Sequence, residues 1–479
     1  MRTLLWYRGK DLRVHDHAAL FAAARDSREV IPVFVLDSAY LKAPPTRHAP
    51  HRVQFLLAAL RELGEALQAR GSQLLLVHGP AGERIPELAK RVGAERVFAI
   101  ADCEPNARER DERIRAALAV PFTLFQQQTL TDPDAIQTAG GTPFRVFTPF
   151  SRAAFAQLNE QKLLAAPTRL PPFPKDMSLP RQATLPTLQQ LGIAENEHVQ
   201  PGGEEAGRAR LREFLGGPVA DYEHDRDRMD RSGTSRLSAD LHFGTLSARS
   251  IWVALDKTSE RKTALPEASL LRYRTELLWR DFAHYTLWHR PSVLTEPFRP
   301  EFKGFPWLDA ASDFAAWWRG TTGYPVVDAA ARQLLEEGFV HNRARMISAS
   351  FLTKHLLTNY QHGEAHYLQF LTDGDLAQNN LGWQWSAGCG CDAQPYFRIF
   401  NPVTQGERFD PDGEYVRKYV RELAPLPTRY LHAPWTAPAD VLKKAGIRLG
   451  KDYPEPIVDH ASARKRFLLV AGDHLKRGV

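Results

Sequence analysis

The chain has 479 residues, too many for one hydrophobic core, so two or three domains are expected. Its 43% apolar content suffices for sizeable cores, and a net charge of +6 permits a polyanionic partner without proving one. Three cysteines, Cys103, Cys389 and Cys391, exclude a disulfide framework; Cys389-Gly390-Cys391 lacks two further ligands, so no metal site is expected. No apolar run is long enough to span a bilayer, and the first residues enter a strand rather than a signal peptide, so a soluble cytoplasmic protein is expected.

The first third alternates apolar runs with helical stretches. Thr3–Tyr7, Val30–Leu36, Leu74–Val77, Arg96–Ile100 and Phe122–Phe125 are short and continuously apolar, as buried parallel strands are. Helical stretches lie between them near Asp16–Arg25, His51–Arg70, Gly82–Val92 and Asn106–Leu118. This rhythm predicts a doubly wound parallel five-stranded sheet, an α/β domain over residues 1–130. No Gly-x-Gly-x-x-Gly follows the first strand, so a dinucleotide need not bind there.

Residues 131–200 are rich in Pro, Gln and polar residues, and Pro167–Lys175 reads as an interdomain linker. From residue 201 strand signals fade. Leu271–Trp288 and Val327–Leu335 show clear helical periodicity, so residues 201–479 are predicted to form an all-α domain.

Five segments carry chemistry. Gly233-Thr234-Ser235-Arg236-Leu237-Ser238 packs three hydroxyls and a guanidinium into one turn, with Tyr222 and Arg226 before it. Such a turn suits phosphate oxygens, although an N-cap cluster would look the same. Glu276-Leu277-Leu278-Trp279-Arg280-Asp281-Phe282 lies in a helical pattern, and His341-Asn342-Arg343-Ala344-Arg345-Met346 follows. The densest segment runs from Asp373-Gly374-Asp375 through Asn379-Asn380 to Trp383-Gln384-Trp385. Two Trp at i, i+2 cannot share a helix face, so one can point inward and the other out. An acidic loop before a core Trp pair would explain the same residues. The last segment is Pro395-Tyr396-Phe397-Arg398-Ile399-Phe400-Asn401-Pro402.

Taken in this order, the five segments resemble the FAD domain of the photolyase/cryptochrome family, closest to its class I cyclobutane pyrimidine dimer photolyases. Leu5-Trp6-Tyr7-Arg8-Gly9-Lys10-Asp11-Leu12-Arg13 resembles the family's opening with one extra residue, and Phe144-Arg145-Val146-Phe147-Thr148-Pro149-Phe150 resembles a further motif. The resemblance covers nearly the whole chain. It implies a C-terminal all-α FAD-binding domain and light-driven splitting of pyrimidine dimers in DNA, by a monomer whose flavin is reduced and anionic when active.

It also implies residue roles. Tyr222 and Thr234, Ser235, Arg236, Leu237 and Ser238 would hold the phosphates and ribitol. Arg280 and Asn342 would line the cavity. Asp373, Gly374 and Asp375 would lie along the flavin, Asp373 paired with Arg345, and Asn379 would face flavin N5. An amide there hydrogen-bonds without adding charge beside an anion. Trp279 and Trp385 would wall the flipped dimer, Glu276 would hydrogen-bond it, and Met346 stands where the related (6-4) photolyases have a second histidine. Arg226, Arg343, Arg398 and Gln405 would touch the DNA backbone, joined by Glu276 and Trp279 at the lesion. Electrons would reach the flavin through Trp383, Tyr360 and Trp307, with Tyr360 in the place of a usual tryptophan and Trp317 or Trp318 as a detour. Folate-binding class I members carry an Asn-Glu pair after the fourth strand. Here Glu104-Pro105-Asn106-Ala107 lacks that Glu, so folate in the usual mode is not expected; a deazaflavin, a differently placed folate, or no antenna remain open. The alternative reading is a cryptochrome-type photoreceptor without repair.

Overall fold

The computed structural model describes residues 1–37, 49–158, 161–175, 183–260, 265–393 and 395–477, which divide into two compact units. The first comprises Met1–Ala220, Ser235–Pro291 and Thr372–Asp375. Its strands are β1 (Arg2–Tyr7), β2 (Glu29–Leu36), β3 (Leu75–His78), β4 (Arg96–Ile100) and β5 (Phe122–Phe125), alternating with α1 (Ala18–Asp26), α2 (Pro50–Gln68), α3 (Ala81–Arg91) and α4 (Pro105–Ala117). All pairings are parallel, in the order β3-β2-β1-β4-β5, with Thr3 registered beside Val30 and Arg96. The chain winds outward from β1 in one direction and then the other, which is the predicted doubly wound topology.

Alternation along the strands builds two cores. Leu5, Tyr7, Phe34, Phe98 and Ile100 join α1 and α2 on one face, while Leu4, Trp6, Ile31, Val33, Val97 and Ala99 join Ile85, Leu88 and Ile114 on the other. Because both faces are covered, the strands are apolar throughout rather than alternating.

The stretch 131–200 differs from a plain linker. It holds α5 (Phe147–Gln157), whose Phe147 and Phe150 pack on Trp279, Phe282 and Tyr285. Tertiary burial of an aromatic first turn makes this helix. Pro167–Lys175 does lack helix and strand. The unit is completed by α6 (Glu204–Gly216), α7 (Ser238–Phe243), α8 (Ala248–Ser259) and α9 (Glu267–His289). Phe243 of α7 stacks 4.8 Å from Phe55 of α2, so α7 belongs to the sheet's core although it lies beyond residue 201.

The second unit comprises Asp221–Thr234, Ser292–Leu371 and Leu376–Val479. It is helical: α10 (Ala311–Arg319), α11 (Pro325–Glu337), α12 (Asn342–Ser350), α13 (Tyr360–Phe370), α14 (Leu376–Ala387) and α15 (Pro402–Phe409) lead to shorter helices and a final helix, His460–Arg477. Its core gathers Trp317, Val327, Leu334, Phe351, Tyr367 and Trp383. A π-turn, Phe351–His355, follows α12 and buries Lys354 completely. No described helix is long and apolar enough to cross a membrane.

Candidate active site

In the first unit the predicted phosphate turn leads into α7 at Ser238. Arg236 takes a left-handed φ of 52°, which curls the turn, and Leu237 is buried beneath it. Leu237 N donates to Ser235 Oγ at 3.4 Å, and Tyr273 Oη meets that hydroxyl at 2.8 Å. Ser238 is half-buried at the helix start.

Asp373, Gly374 and Asp375 are all buried. Asp375 N donates to the Asp373 carbonyl at 2.6 Å, and Arg52 from α2 donates to the Gly374 carbonyl at 3.1 Å. Asp375 lies 3.2 Å from His284 Nε2 of α9 and 3.8 Å from His242 Nδ1 of α7. Burial alone would raise its pKa, but His284, His242 and Lys10 outweigh it and hold the carboxyl well below the usual range. Lys10 is itself anchored to Asp102 at 3.2 Å and Glu104 at 2.5 Å.

On α9, Glu276 and Trp279 are half-buried and one turn apart, so they share a face. The Trp279 indole lies on Phe147 with centroids 3.7 Å apart and planes at 8°. Arg280 turns inward: Nη1 donates to the Gln128 carbonyl at 2.9 Å and Nη2 to the Leu241 carbonyl at 3.4 Å.

In the second unit Tyr222 is buried at the start of the one-turn helix Tyr222–Asp225, and Thr234 is half-buried. Arg226 Nε lies 3.7 Å from Asp227, whose other oxygen pairs with Arg343 Nη2 at 2.7 Å. Arg343 also lies over the Phe409 ring at 4.3 Å. Asn342, at the exposed start of α12, approaches the Met346 sulfur at 3.8 Å one turn later. Arg345 Nε donates to the Val340 carbonyl at 2.8 Å. Arg398 is exposed, its carbonyl held by Lys354 Nζ at 2.8 Å, and Gln405 is half-buried on α15.

On α14, Asn379 is half-buried and donates through Nδ2 to the Glu364 carbonyl at 2.9 Å. Trp383 is 3% exposed while Trp385 is half-buried, the inward-outward split expected of the i, i+2 pair. The ring neighbours of Trp383 are Trp317 at 5.9 Å and Tyr367 at 5.2 Å, both edge-to-face. His366 lies 5.6 Å from Trp317 and 6.0 Å from Trp318. Trp307 packs on Phe305 at 4.4 Å. Among the described residues Tyr360 makes no ring contact, and its buried hydroxyl has no hydrogen-bond partner. The expected middle place of Tyr360 between Trp383 and Trp307 is therefore not marked by ring packing.

Sequence profiles described as the FAD binding domain of DNA photolyase and as DNA photolyase match residues 273–471 and 3–174. A deoxyribodipyrimidine photo-lyase from Agrobacterium fabrum is 39% identical over 97% of this chain and 96% of its own. The chain belongs to the DNA photolyase family. Among solved structures of the family, a bacterial class III photolyase from Agrobacterium tumefaciens superposes with a TM-score of 0.90 at 36% identity, covering 99% of this chain and 98% of that one. A Synechocystis cryptochrome also reaches 0.90, at 30% identity over 98% and 99%. Fold alone thus does not separate a photolyase from a cryptochrome.

Several residues around these sites escape the sequence motifs. His242 and His284 meet Asp375 from α7 and α9, joined by the charge of Lys10 from the opening motif, and no local pattern links the three. Glu364 does carry a signal. With Tyr360, Gly363 and Tyr367 it forms the buried face of α13, at helical spacing.

Proposed function

We propose that this protein splits cyclobutane pyrimidine dimers in DNA under light, with FAD as cofactor. The observation that carries this reading is the α9 face, where the Glu276 carboxyl and the Trp279 indole, braced flat on Phe147, stand one turn apart. A carboxyl beside a rigid π-surface suits a flat lesion with polar edges. Near 39% identity to a photo-lyase over almost the whole chain supports repair rather than the cryptochrome-type alternative.

The donor set fits FAD. Hydroxyls of Thr234, Ser235 and Ser238 and the Arg236 guanidinium suit a diphosphate and a polyol, and Asn342 and Asn379 suit the edge of a heteroaromatic ring. Arg280 keeps a buried Nε without a partner among the described residues. When bound and reduced, FAD supplies on excitation the electron that opens the cyclobutane ring and is returned afterwards. Tyr222 would help hold the cofactor, Arg345 and Asp373 would balance charge along it, and buried Asp375 stays ionised.

Glu276 hydrogen-bonds the dimer, Trp279 and Trp385 stack on it, and Met346 gives its pocket an apolar, proton-free wall. Arg226, Arg343, Arg398 and Gln405 bind phosphates, Arg343 sharing itself between Asp227 and DNA. For cofactor reduction Trp383 would hand an electron inward and be refilled through its ring neighbour Trp317, the detour around Tyr360 on the side of Trp307. Glu104 is engaged by Lys10 and Ala107 is buried, so a folate held by Asn106 and an acid at 107 forms no part of this reading. The test is to illuminate the reduced holoprotein with dimer-containing DNA. Dimer loss in blue light and none in the dark is expected, and survival of dimers at the dark rate with FAD bound would overturn it.

A further inference from the structure

Glu364 reaches two successive asparagines of α14 by two different groups. Its backbone carbonyl accepts from Asn379 Nδ2 at 2.9 Å, and its carboxyl Oε1 accepts from Asn380 Nδ2 at 3.0 Å. Asn380 Nδ2 also donates to the Val293 carbonyl at 3.0 Å. Gln384, one turn on, donates to the same carbonyl at 2.8 Å and to Asn380 Oδ1 at 3.2 Å, while its own Oε1 accepts from Phe298 N at 2.7 Å. A ladder of side-chain amides thus runs from Asn379 to the 293–298 loop, and the one acid in it is Glu364.

We propose that Glu364 is a positioning residue for Asn379 and that it works as the neutral, protonated acid. The argument is one of compensation. Glu364 is 8% exposed, and among the described residues its carboxyl receives a single neutral amide donor with no cation against it. The charge of Glu364 bears on the Tyr360 phenol on α13 and the Cys389 thiol after α14, neither of them a cation. Lys354, from the π-turn, faces Cys389 and the Arg398 carbonyl instead. A buried carboxylate so poorly matched takes up a proton. Burial pushes its pKa up to about 7, against the Asn380 hydrogen bond. Asp375 shows the opposite outcome, since two histidines and Lys10 face it.

The consequence rests on Asn379 facing the flavin, as proposed above. A neutral Glu364 keeps negative charge from behind Asn379 and leaves an anionic reduced cofactor unopposed. Losing that proton sets a charge behind the amide and makes reduction harder.

Two measurements test this on the holoprotein. Infrared titration should show buried carboxylic-acid carbonyl intensity at about pH 6 that fades above neutrality, and the difference between wild type and Glu364→Gln should isolate the share of Glu364 from that of buried Asp410, which burial also raises to about 7. The midpoint potential of the bound flavin, followed against pH, should bend toward more negative values above neutrality in the wild type and not in Glu364→Gln. A Glu364 already ionised at the acid end, or coincident potential curves, overturns the proposal. Neither readout requires repair, so a holoprotein that passes both yet splits no dimers would sink the functional reading alone.

Discussion

Gly363→Ala isolates the seat of Trp383. A Cβ at 363 would overlap Trp383 Cη2 and Cζ3 and lie 2.6 Å from Leu352 Cδ2. Carbon atoms rest at about 3.5–4.0 Å, so the indole must move by roughly an ångström. It has little room, being 3% exposed and held edge-on by Trp317 at 5.9 Å and Tyr367 at 5.2 Å. Overpacking costs roughly 1–3 kcal/mol, and a disturbed aromatic contact adds about 0.5–1.5 kcal/mol. Better helix propensity of alanine returns about 1 kcal/mol. The net loss is about 2 kcal/mol. Gly382→Ala is the control, since a Cβ there meets nothing within 4 Å, and it should be neutral or slightly stabilising. Denaturant midpoints followed by tryptophan fluorescence give the stabilities, and flavin absorbance under light gives the rate of cofactor photoreduction. Gly363→Ala should lower both. If it behaves like Gly382→Ala in both, Trp383 is not wedged against α13 and the packing argument fails.

Trp317→Phe should slow flavin photoreduction far more than Tyr360→Phe, while repair by chemically pre-reduced enzyme persists in both; equal photoreduction in Trp317→Phe and wild type would place the route elsewhere. Trp279→Ala should weaken binding of dimer-containing DNA by roughly 1–3 kcal/mol with FAD retained; unchanged affinity in a fluorescence titration would leave Trp279 as a packing partner of Phe147 only. Burial lowers the Lys354 pKa from 10.5 to about 7, so between those values the unfolded chain binds the extra proton and stability rises with pH, by at most about 1.4 kcal/mol per unit. Lys354→Met should abolish that slope in denaturation midpoints taken across the window, and parallel slopes in the two proteins would refute the assignment.

The sheet was readable because buried parallel strands announce themselves as short apolar runs, and all five lie where those runs are. Helix α5 was not, because Phe147 and Phe150 earn their burial only against Trp279, Phe282 and Tyr285, over a hundred residues away. The grouping of α7 and α9 with the sheet was hidden for the same reason. It depends on contacts such as Phe243 on Phe55, which no window along the chain contains. At the aromatic residues, the family resemblance implied Tyr360 as the middle step with Trp317 or Trp318 as a detour; the ring contact of Trp383 with Trp317, whose Nε1 is fixed by Ser348 Oγ at 2.9 Å, is a tertiary feature that the order of residues does not state.

The two buried acids show where local reading ends. Asp375 stands out in a compact motif, and Glu364 lies on the buried face of α13, but neither sequence context states a charge. Burial opposes ionisation of both. His284 and His242 reach Asp375 from α9 and α7, and Lys10 adds its charge from the loop after β1, so that carboxyl keeps its charge. Among the described residues Glu364 meets one amide, from Asn380, and no cation, so its charge is not matched. Equal side-chain chemistry therefore yields pKa shifts of opposite direction, and the difference lies in residues that folding brings from elsewhere. It follows that moving a cation to Glu364 should convert it. Tyr360→Lys, one turn before Glu364 on α13, would place an ammonium on the same buried face and should lower the Glu364 pKa. Infrared titration would then find the carboxylate below neutrality, and an unshifted titration in a folded variant would refute the compensation argument for both acids.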